Sequence, residues 1–452
     1  MARSWTIGRA TFVAAVAALA LAGYASMPSV AKAPPAAAAR VQGVHVILQD
    51  AVDKNIAPGF VLMLANARGQ THVDVRGLAD RERAVPLSAE ALFRLYSMTK
   101  PVTAAAALVM VEEGKIALDD PVSKFVPEFA AARVYAGGDT LESLKTEPLV
   151  RPLTVRDLLR QTAGIVYFGL NTPVERLFAM RGVERAPGEP VPGYGGERDT
   201  TIAAWARRVA GTPLAAQPGT QFTYGGALDL LGRVLEVADG RPLREVLAAR
   251  VLAPLGMRST TFVVAPPSQA KLTAAYALKS PNGAQAPILS NGEIARLAKA
   301  ELFLVDDPAK SPFAQDGRIE FGGAGLVGTA GDFLRFARML AGQGEVDGVR
   351  LLSRESVAAM GTNQLGPEAS ARIADIGIGY GYGLGVVEVP GKIAGAPPKG
   401  MMFWGGAAGT FFWADPHSGE AGVLMTQVFG DDIRAYHAAV VKCLFEQHSP
   451  TN

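Results

Sequence analysis

Hydrophobic and polar positions change their period twice along this chain. The stretch GFVLMLANARGQTHVDVRG (59–77) sets two apolar runs on either side of the polar turn ANARGQ, which predicts a pair of strands. Before it, 41–56 spaces its apolar residues as one face of an amphipathic helix. Through the middle the period becomes helical. Leu228, Leu231 and Leu235 recur at helical spacing in GALDLLGRVLEV, TAGDFLRFARMLAG (329–342) predicts a further helix, and Thr154 with Asp157 is a capping pair for TVRDLLRQTAG. From about 379 the strand pattern returns in YGYGLGVVEV, MMFWGG, GTFFWAD and AGVLMTQV, and a last helix is expected over 431–447. Strands at both ends and helices between predict an α/β (α+β) fold. One mostly antiparallel sheet would be built from about 41–117 and 379–447, with a helical region inserted over about 118–378. A cleft between the two parts is the natural place for a site.

One helix carries an unusual start. LYSMTKPVTAAAALVMVEEGK (95–115) places a serine and a lysine three residues apart, with Pro101 directly behind them. Proline inside a helix removes a hydrogen bond, but the first turn has no partners to lose. Pro101 therefore sets the helix start near Ser97, with Gly114 as its end. A hydroxyl then sits at the positive end of the helix dipole, with an amine one turn later on the same face.

Composition narrows the class without naming a chemistry. The chain has 452 residues, 49% hydrophobic and 19% charged, as expected for a globular enzyme. A net charge of +2 with no basic cluster gives no reason to expect nucleic acid. Five histidines stand singly, without metal-ligand spacing, so no metal site is expected. Cys443 is the one cysteine, which excludes an internal disulfide; a small apolar role in the last helix suffices. The first residues differ. Arg3 and Arg9 precede the apolar run TFVAAVAALALAGY and a small-residue site, the layout of an export signal over 1–31, followed by an Ala/Pro linker at 32–40. LAGY at 21–24 resembles a lipoprotein box, but Tyr24 stands where the lipidated cysteine is required. The expectation is an exported protein, periplasmic or secreted, with no stable membrane span after cleavage.

S-x-x-K alone is a weak signal, since the chain matches it three times: Ser29–Lys32 in the leader, Ser268–Lys271 after Pro266 and Pro267, and Ser97–Lys100. Only the last joins a helix start to a long apolar helix. Taken alone, Ser97 is a plain N-cap. Two further elements agree with a richer reading: PGTQFTYGGALDLLG (218–232), where Tyr224 ends a loop before a helix, and FWGGAAGTFFW (403–413), where Gly405 and Gly406 interrupt a strand. Interior strand glycines need a reason, and close backbone approach is one.

With these three elements in this order, the chain resembles the serine β-lactamase and penicillin-binding-protein superfamily, and within it the family VIII carboxylesterases. LDDPVSKFVPEF, PLTVRDLLRQTAGI and GGAGLVGTAGDFLRFARML extend the likeness over about 41–447. The resemblance implies Ser97 as nucleophile, Lys100 as its partner and Tyr224 as the second-motif tyrosine. It implies Trp404, Gly405 and Gly406 as the third motif, and the Ser97 and Ala407 amides as the oxyanion hole. Two departures stand out. Gly226 occupies the usual asparagine position of the second motif, and Trp404 stands where the third motif usually begins with lysine. Those missing groups would hold a β-lactam's amide and carboxylate, so their absence argues against an efficient penicillinase.

The implied activity is hydrolysis of small-molecule carboxylic esters through an acyl-enzyme, without cofactor. Lys100 and Tyr224 would share the general base and acid work, and Trp404, Tyr380 and Tyr382 would line an acyl pocket. A Ser-His-Asp triad has no support, since no motif contains histidine and no GxSxG exists. GAGLVG (323–328) matches the dinucleotide fingerprint but lacks a βαβ setting, so no nucleotide cofactor is expected. A D-Ala carboxypeptidase or weak β-lactamase on the same residues, and a non-catalytic exported binding protein, remain as alternatives.

Overall fold

The strands expected at the two chain ends pair with one another. The computed structural model describes residues 36–446, except 168–169, 171, 182–200, 280–300, 372 and 431; the stretch 1–31 expected to be an export signal and the Ser29–Lys32 match lie outside them. A helix, α1 (Ala36–Asp53), leads into β1 (Gly59–Ala65), β2 (Thr71–Asp80) and β3 (Val85–Pro86). Residues 36–40, read from sequence as linker, already belong to α1, because an alanine run carries the highest helix propensity and extends the amphipathic turn that follows. The C-terminal part supplies β6 (Ile378–Tyr380), β7 (Gly385–Val387), β8 (Met402–Gly405), β9 (Phe411–Ala414) and β10 (Ala421–Met425), with β4 (Phe93–Arg94) and β5 (Val327–Gly328) forming a separate short pair.

The main sheet has eight strands in the order β6-β7-β8-β9-β10-β1-β2-β3, all antiparallel. The junction between the chain ends is β1 against β10, in the register Val61 opposite Met425 and Ala65 opposite Ala421. Both strands are buried along nearly their whole length, so this is a central seam.

Strand β9 shows why two layers of helix cover the sheet. Successive side chains of a strand point to opposite faces. Phe412 packs edge and face against Phe333 and Phe336 of one helix. Phe411 stacks on His437 and Trp413 meets Phe445, both on the last helix, Asp432–Phe445. That last helix packs in turn on α1, where Cys443 lies against Gly43 and the Arg40 carbonyl.

The middle of the chain is less purely helical than its pattern predicts. After the helix Thr99–Glu112 it holds helices at Val155–Leu159, Ala227–Asp239 and Ala330–Ala341, together with two-stranded pairs such as Arg133–Gly137 with Lys145–Pro148. The capping pair is real: the Thr154 hydroxyl accepts from the Asp157 amide while the Asp157 carboxylate accepts from the Thr154 amide. Burial opposes ionisation of Asp157, yet hydrogen bonds from Arg151, Arg160 and Thr154 hold its carboxyl below the ordinary range. This short helix anchors the loop that carries Gln161, which reappears beneath the site. Among the described residues, no helix is long and apolar enough to cross a membrane.

Candidate active site

Ser97 lies in a 3₁₀ turn, Tyr96–Met98, and not at the N-cap of the helix behind it. The helix runs Thr99–Glu112, its N-cap is Met98, and no side chain caps it. Pro101 is therefore its third residue, still inside the turn where a missing N–H costs nothing. The expected capping role of Ser97 is thus corrected. Freed from the cap, its hydroxyl is available to Lys100, whose Nζ donates to Oγ at 3.3 Å. Tyr96, directly before it, has φ of +44°, a conformation that L side chains seldom adopt. Its ring is wedged edge-on between Phe313 and Phe429, which holds the strained turn in place. Arg94 fixes the preceding strand. Fully buried, it donates to Asp306, the Thr273 carbonyl and Ser311. Ser97 is partly exposed while residues 91–96 and 98–108 are buried, so solvent reaches this wall at Ser97.

Lys100 is completely buried. Besides Ser97 its ammonium donates to the Gly323 carbonyl at 2.9 Å. It lies 4.8 Å from the ring centre of Tyr224 and 5.5 Å from that of Tyr167. Gly323 is held in turn: its amide donates to Asp229 at 2.6 Å, while the Tyr167 hydroxyl donates to the other Asp229 oxygen at 2.5 Å. The 322–326 loop is strapped to the helix start by Thr103 donating to the Gly322 carbonyl and by the Leu326 amide donating to the Thr99 hydroxyl.

Tyr224 arrives from the other side, in the loop before the helix Ala227–Asp239. Gln161 fixes that loop, its carbonyl accepting from the Thr223 amide and its side chain from the Gly225 amide. Among the described residues the Tyr224 hydroxyl is buried and has no hydrogen-bond partner. Its ring meets Trp404 at 5.6 Å, and Trp404 meets Tyr380 at 5.1 Å. The Trp404 indole N–H is likewise buried without a partner. Burial holds the Tyr380 phenol well above its ordinary range, so that group stays neutral. The Gly226 departure also has a physical account. A side chain there would press against the Trp205 ring at 3.0 Å and Ile165, so Trp205 fills the space that an asparagine would use.

The turn between β8 and β9 closes the fourth side. The Gly406 amide donates to the Thr410 carbonyl at 2.7 Å, and Thr410 donates to the Leu95 carbonyl. A Cβ at Gly406 would overlap both the Thr410 hydroxyl and the Leu95 carbonyl. Gly406 is bare so that the turn can lie against the backbone that presents Ser97, whereas a Cβ at Gly405 would sit tight against Thr410 O at 3.2 Å, a contact that a shift of a few tenths of an ångström relieves. Among the described residues neither the Ser97 nor the Ala407 amide has a protein partner, and both residues are partly exposed.

Tyr382 does not join the aromatic cluster around Trp404. Its hydroxyl accepts from Arg156 at 2.8 Å, and Arg156 is also bound to Asp119. Its position two residues after Tyr380 gave no warning, because the strand Ile378–Tyr380 ends before it and the strand's alternation of faces no longer applies. Of the other S-x-x-K matches, Ser268–Lys271 lies in the 3₁₀ turn Pro266–Lys271, with no buried residue. Three groups of the site escaped the sequence reading: Asp229, Tyr167 and the Gly323 carbonyl. Asp229 left one usable signal, an acid in the apolar run of GALDLLG. GAGLVG, dismissed as a decoy, turns out to hold the lysine through its backbone.

A protein-family model described as Beta-lactamase matches residues 47–443. An uncharacterised protein of Mycobacterium tuberculosis is 33% identical over 386 residues, spanning 83% of this chain and 87% of that protein. Esterase EstB of Burkholderia gladioli is 30% identical over 400 residues, spanning 86% and 91%. Among solved structures, EstCE1, a hydrolase with promiscuous acyltransferase activity, superposes with a TM-score of 0.68 at 27% identity, covering 90% of this chain and 99% of that one. With the match running through every element described above, this chain belongs to the β-lactamase family and is a hydrolase-type enzyme close to its carboxylesterase-like members.

Proposed function

We propose that the protein hydrolyses carboxylic esters of small molecules through an acyl-enzyme on Ser97, as an exported enzyme. The single observation that carries this reading is the convergence of a partly exposed serine, a buried lysine donating to its hydroxyl at 3.3 Å, and a buried tyrosine hydroxyl, unpartnered among the described residues, on a ring 4.8 Å from that lysine. A serine hydroxyl needs a neighbouring base, and Lys100 with Tyr224 supplies one as a unit. Ser97 Oγ attacks the ester carbonyl carbon and its proton passes to the Lys100–Tyr224 pair. The negative carbonyl oxygen is received by the Ser97 and Ala407 amides. Collapse breaks the bond to the alcohol oxygen, which leaves with the proton delivered through Tyr224. Water then repeats the sequence on the acyl group, releasing the acid and restoring Ser97. Trp404 and Tyr380 form the apolar wall beside Tyr224, and the esterase and hydrolase named among the relatives support an ester as substrate.

The filled space at Gly226 and the tryptophan in place of lysine at 404 leave a β-lactam without two of its expected contacts. Turnover of p-nitrophenyl acetate and butyrate, compared with nitrocefin on the same preparation, tests the reading. The esters should be the better substrates by kcat/KM; nitrocefin as the better one would reverse the assignment in favour of a β-lactamase or peptidase.

A further inference from the structure

The mechanism above makes no use of Asp229, yet this carboxylate is 2% exposed and lies on the inner face of the helix that follows Tyr224. Both its oxygens are engaged by groups of the site wall: Oδ1 accepts from the Gly323 amide at 2.6 Å and Oδ2 from the Tyr167 hydroxyl at 2.5 Å. Gly323 in turn presents its carbonyl to Lys100 Nζ at 2.9 Å. A buried acid costs stability unless it is bonded and balanced, and the nearest balance is the lysine, whose charge acts on Asp229. The family's asparagine would stand at 226, one helical turn before Asp229 on the same face. Here that space belongs to Trp205.

We propose that Asp229 is a positioning residue of this site: a buried anion that fixes the Gly323 carbonyl holding Lys100 and biases the proton shared by Lys100 and Tyr224 toward the lysine nitrogen. This role rests on the reading of Ser97, Lys100 and Tyr224 as acyl-transfer machinery. With the proton on Lys100, the Tyr224 oxygen becomes the atom that takes the Ser97 proton and later returns it to the leaving alcohol. The groups facing Lys100 are few. Ser97 comes from its own element, Asp229 from the helix behind Tyr224, Tyr167 and Tyr224 from loops, and the Gly323 carbonyl from the 322–326 loop, with neutral Tyr380 beyond Trp404. Asp229 is the one acid among them. Burial, the largest influence, raises its carboxyl overall, and the Lys100 charge, Tyr167 and the Gly323 amide act against it; the geometry, with both oxygens accepting, is that of the ionised form.

The sign of the test follows from charge. A nearby anion favours protonation of the Lys100–Tyr224 pair, so removing it should free the base at lower pH. Asp229→Asn keeps the shape and an oxygen for the Gly323 amide but loses the charge. The acid limb of kcat/KM for p-nitrophenyl acetate should then move down by about one pH unit. Tyr167→Phe, which keeps the ring beside Lys100 and only weakens the carboxylate's ionisation, should move it the same way by less. The rate of Ser97 labelling by a fluorophosphonate, followed over the same pH range, should shift in parallel. A folded Asp229→Asn enzyme whose pH profile superimposes on wild type overturns the proposal, because a merely structural role lowers activity without moving the limb. If Asp229→Asn does not fold, an unmoved limb in Tyr167→Phe overturns it equally. Wild type that neither turns over the ester nor labels at Ser97 sinks the underlying reading, and this role with it.

Discussion

Gly406→Ala puts the oxyanion geometry to a direct trial. The added methyl would overlap the Thr410 hydroxyl and the Leu95 carbonyl. The hydroxyl can rotate away, but the carbonyl is backbone, two residues before Ser97, in a segment pinned by buried Arg94. Restoring ordinary contact of about 3.5 Å requires the turn to retreat by about 1 Å. Such a retreat strains the Gly406–Thr410 hydrogen bond and carries the Ala407 amide off its target. A displacement of that size costs about 100-fold, and loss of one oxyanion donor costs about 100- to 1000-fold in kcat, or about 3–4 kcal/mol of barrier. Gly405→Ala is the built-in comparison. Its methyl would meet Thr410 O at 3.2 Å and Phe411 at 3.6 Å, so a loss below about tenfold is expected. The assay is kcat and KM on p-nitrophenyl butyrate, with thermal melting to establish folding. A folded Gly406→Ala enzyme within about threefold of wild-type kcat, or a Gly405→Ala enzyme that is the more damaged of the two, would refute the placement of Ala407.

Other expectations concern the frame and the base. Tyr224→Phe keeps the packing on Trp404 and removes the proton carrier, so kcat should fall by about 100- to 10,000-fold with little change in melting temperature. Arg94→Ala leaves Asp306 and the Thr273 carbonyl without their buried partner, and denaturant unfolding should register a loss of about 3–5 kcal/mol. Burial, aided by the charge of Arg434, holds the His437 imidazole down at about 4, while its ring bonds the Gly409 carbonyl of the turn between β8 and β9. The unfolded chain protonates this histidine near pH 6.5 and the folded one only near 4. Stability should therefore fall by about 3 kcal/mol as pH drops through that window, and His437→Gln should remove that part of the slope.

Period and turn chemistry made the central sheet readable in the sequence. The strand pair over 59–77, the capping box at Thr154 and the C-terminal strands all follow from local pattern, which each segment obeys independently. The helix start was harder. Pro101 is compatible with a start at Ser97 or two residues later, and only the positive φ at Tyr96, imposed by Phe313 and Phe429 from distant segments, decides between them. The same limit explains the site. Ser97, Lys100, Tyr224 and the third-motif glycines stand out because their motifs are compact. Asp229, Tyr167 and Gly323 meet across long chain separations with no local signature. Tyr382 misled for the converse reason, since a place two residues from Tyr380 says little about which way a ring points once the strand has ended.

The account stands or falls on a covalent bond at one oxygen. Rapid mixing with p-nitrophenyl butyrate, acid quench and intact-mass measurement with peptide mapping should show one butyryl group on the peptide carrying Ser97, absent from Ser97→Ala. Ester turnover by Ser97→Ala at the wild-type rate, or an acyl group mapped to any other residue, would contradict it.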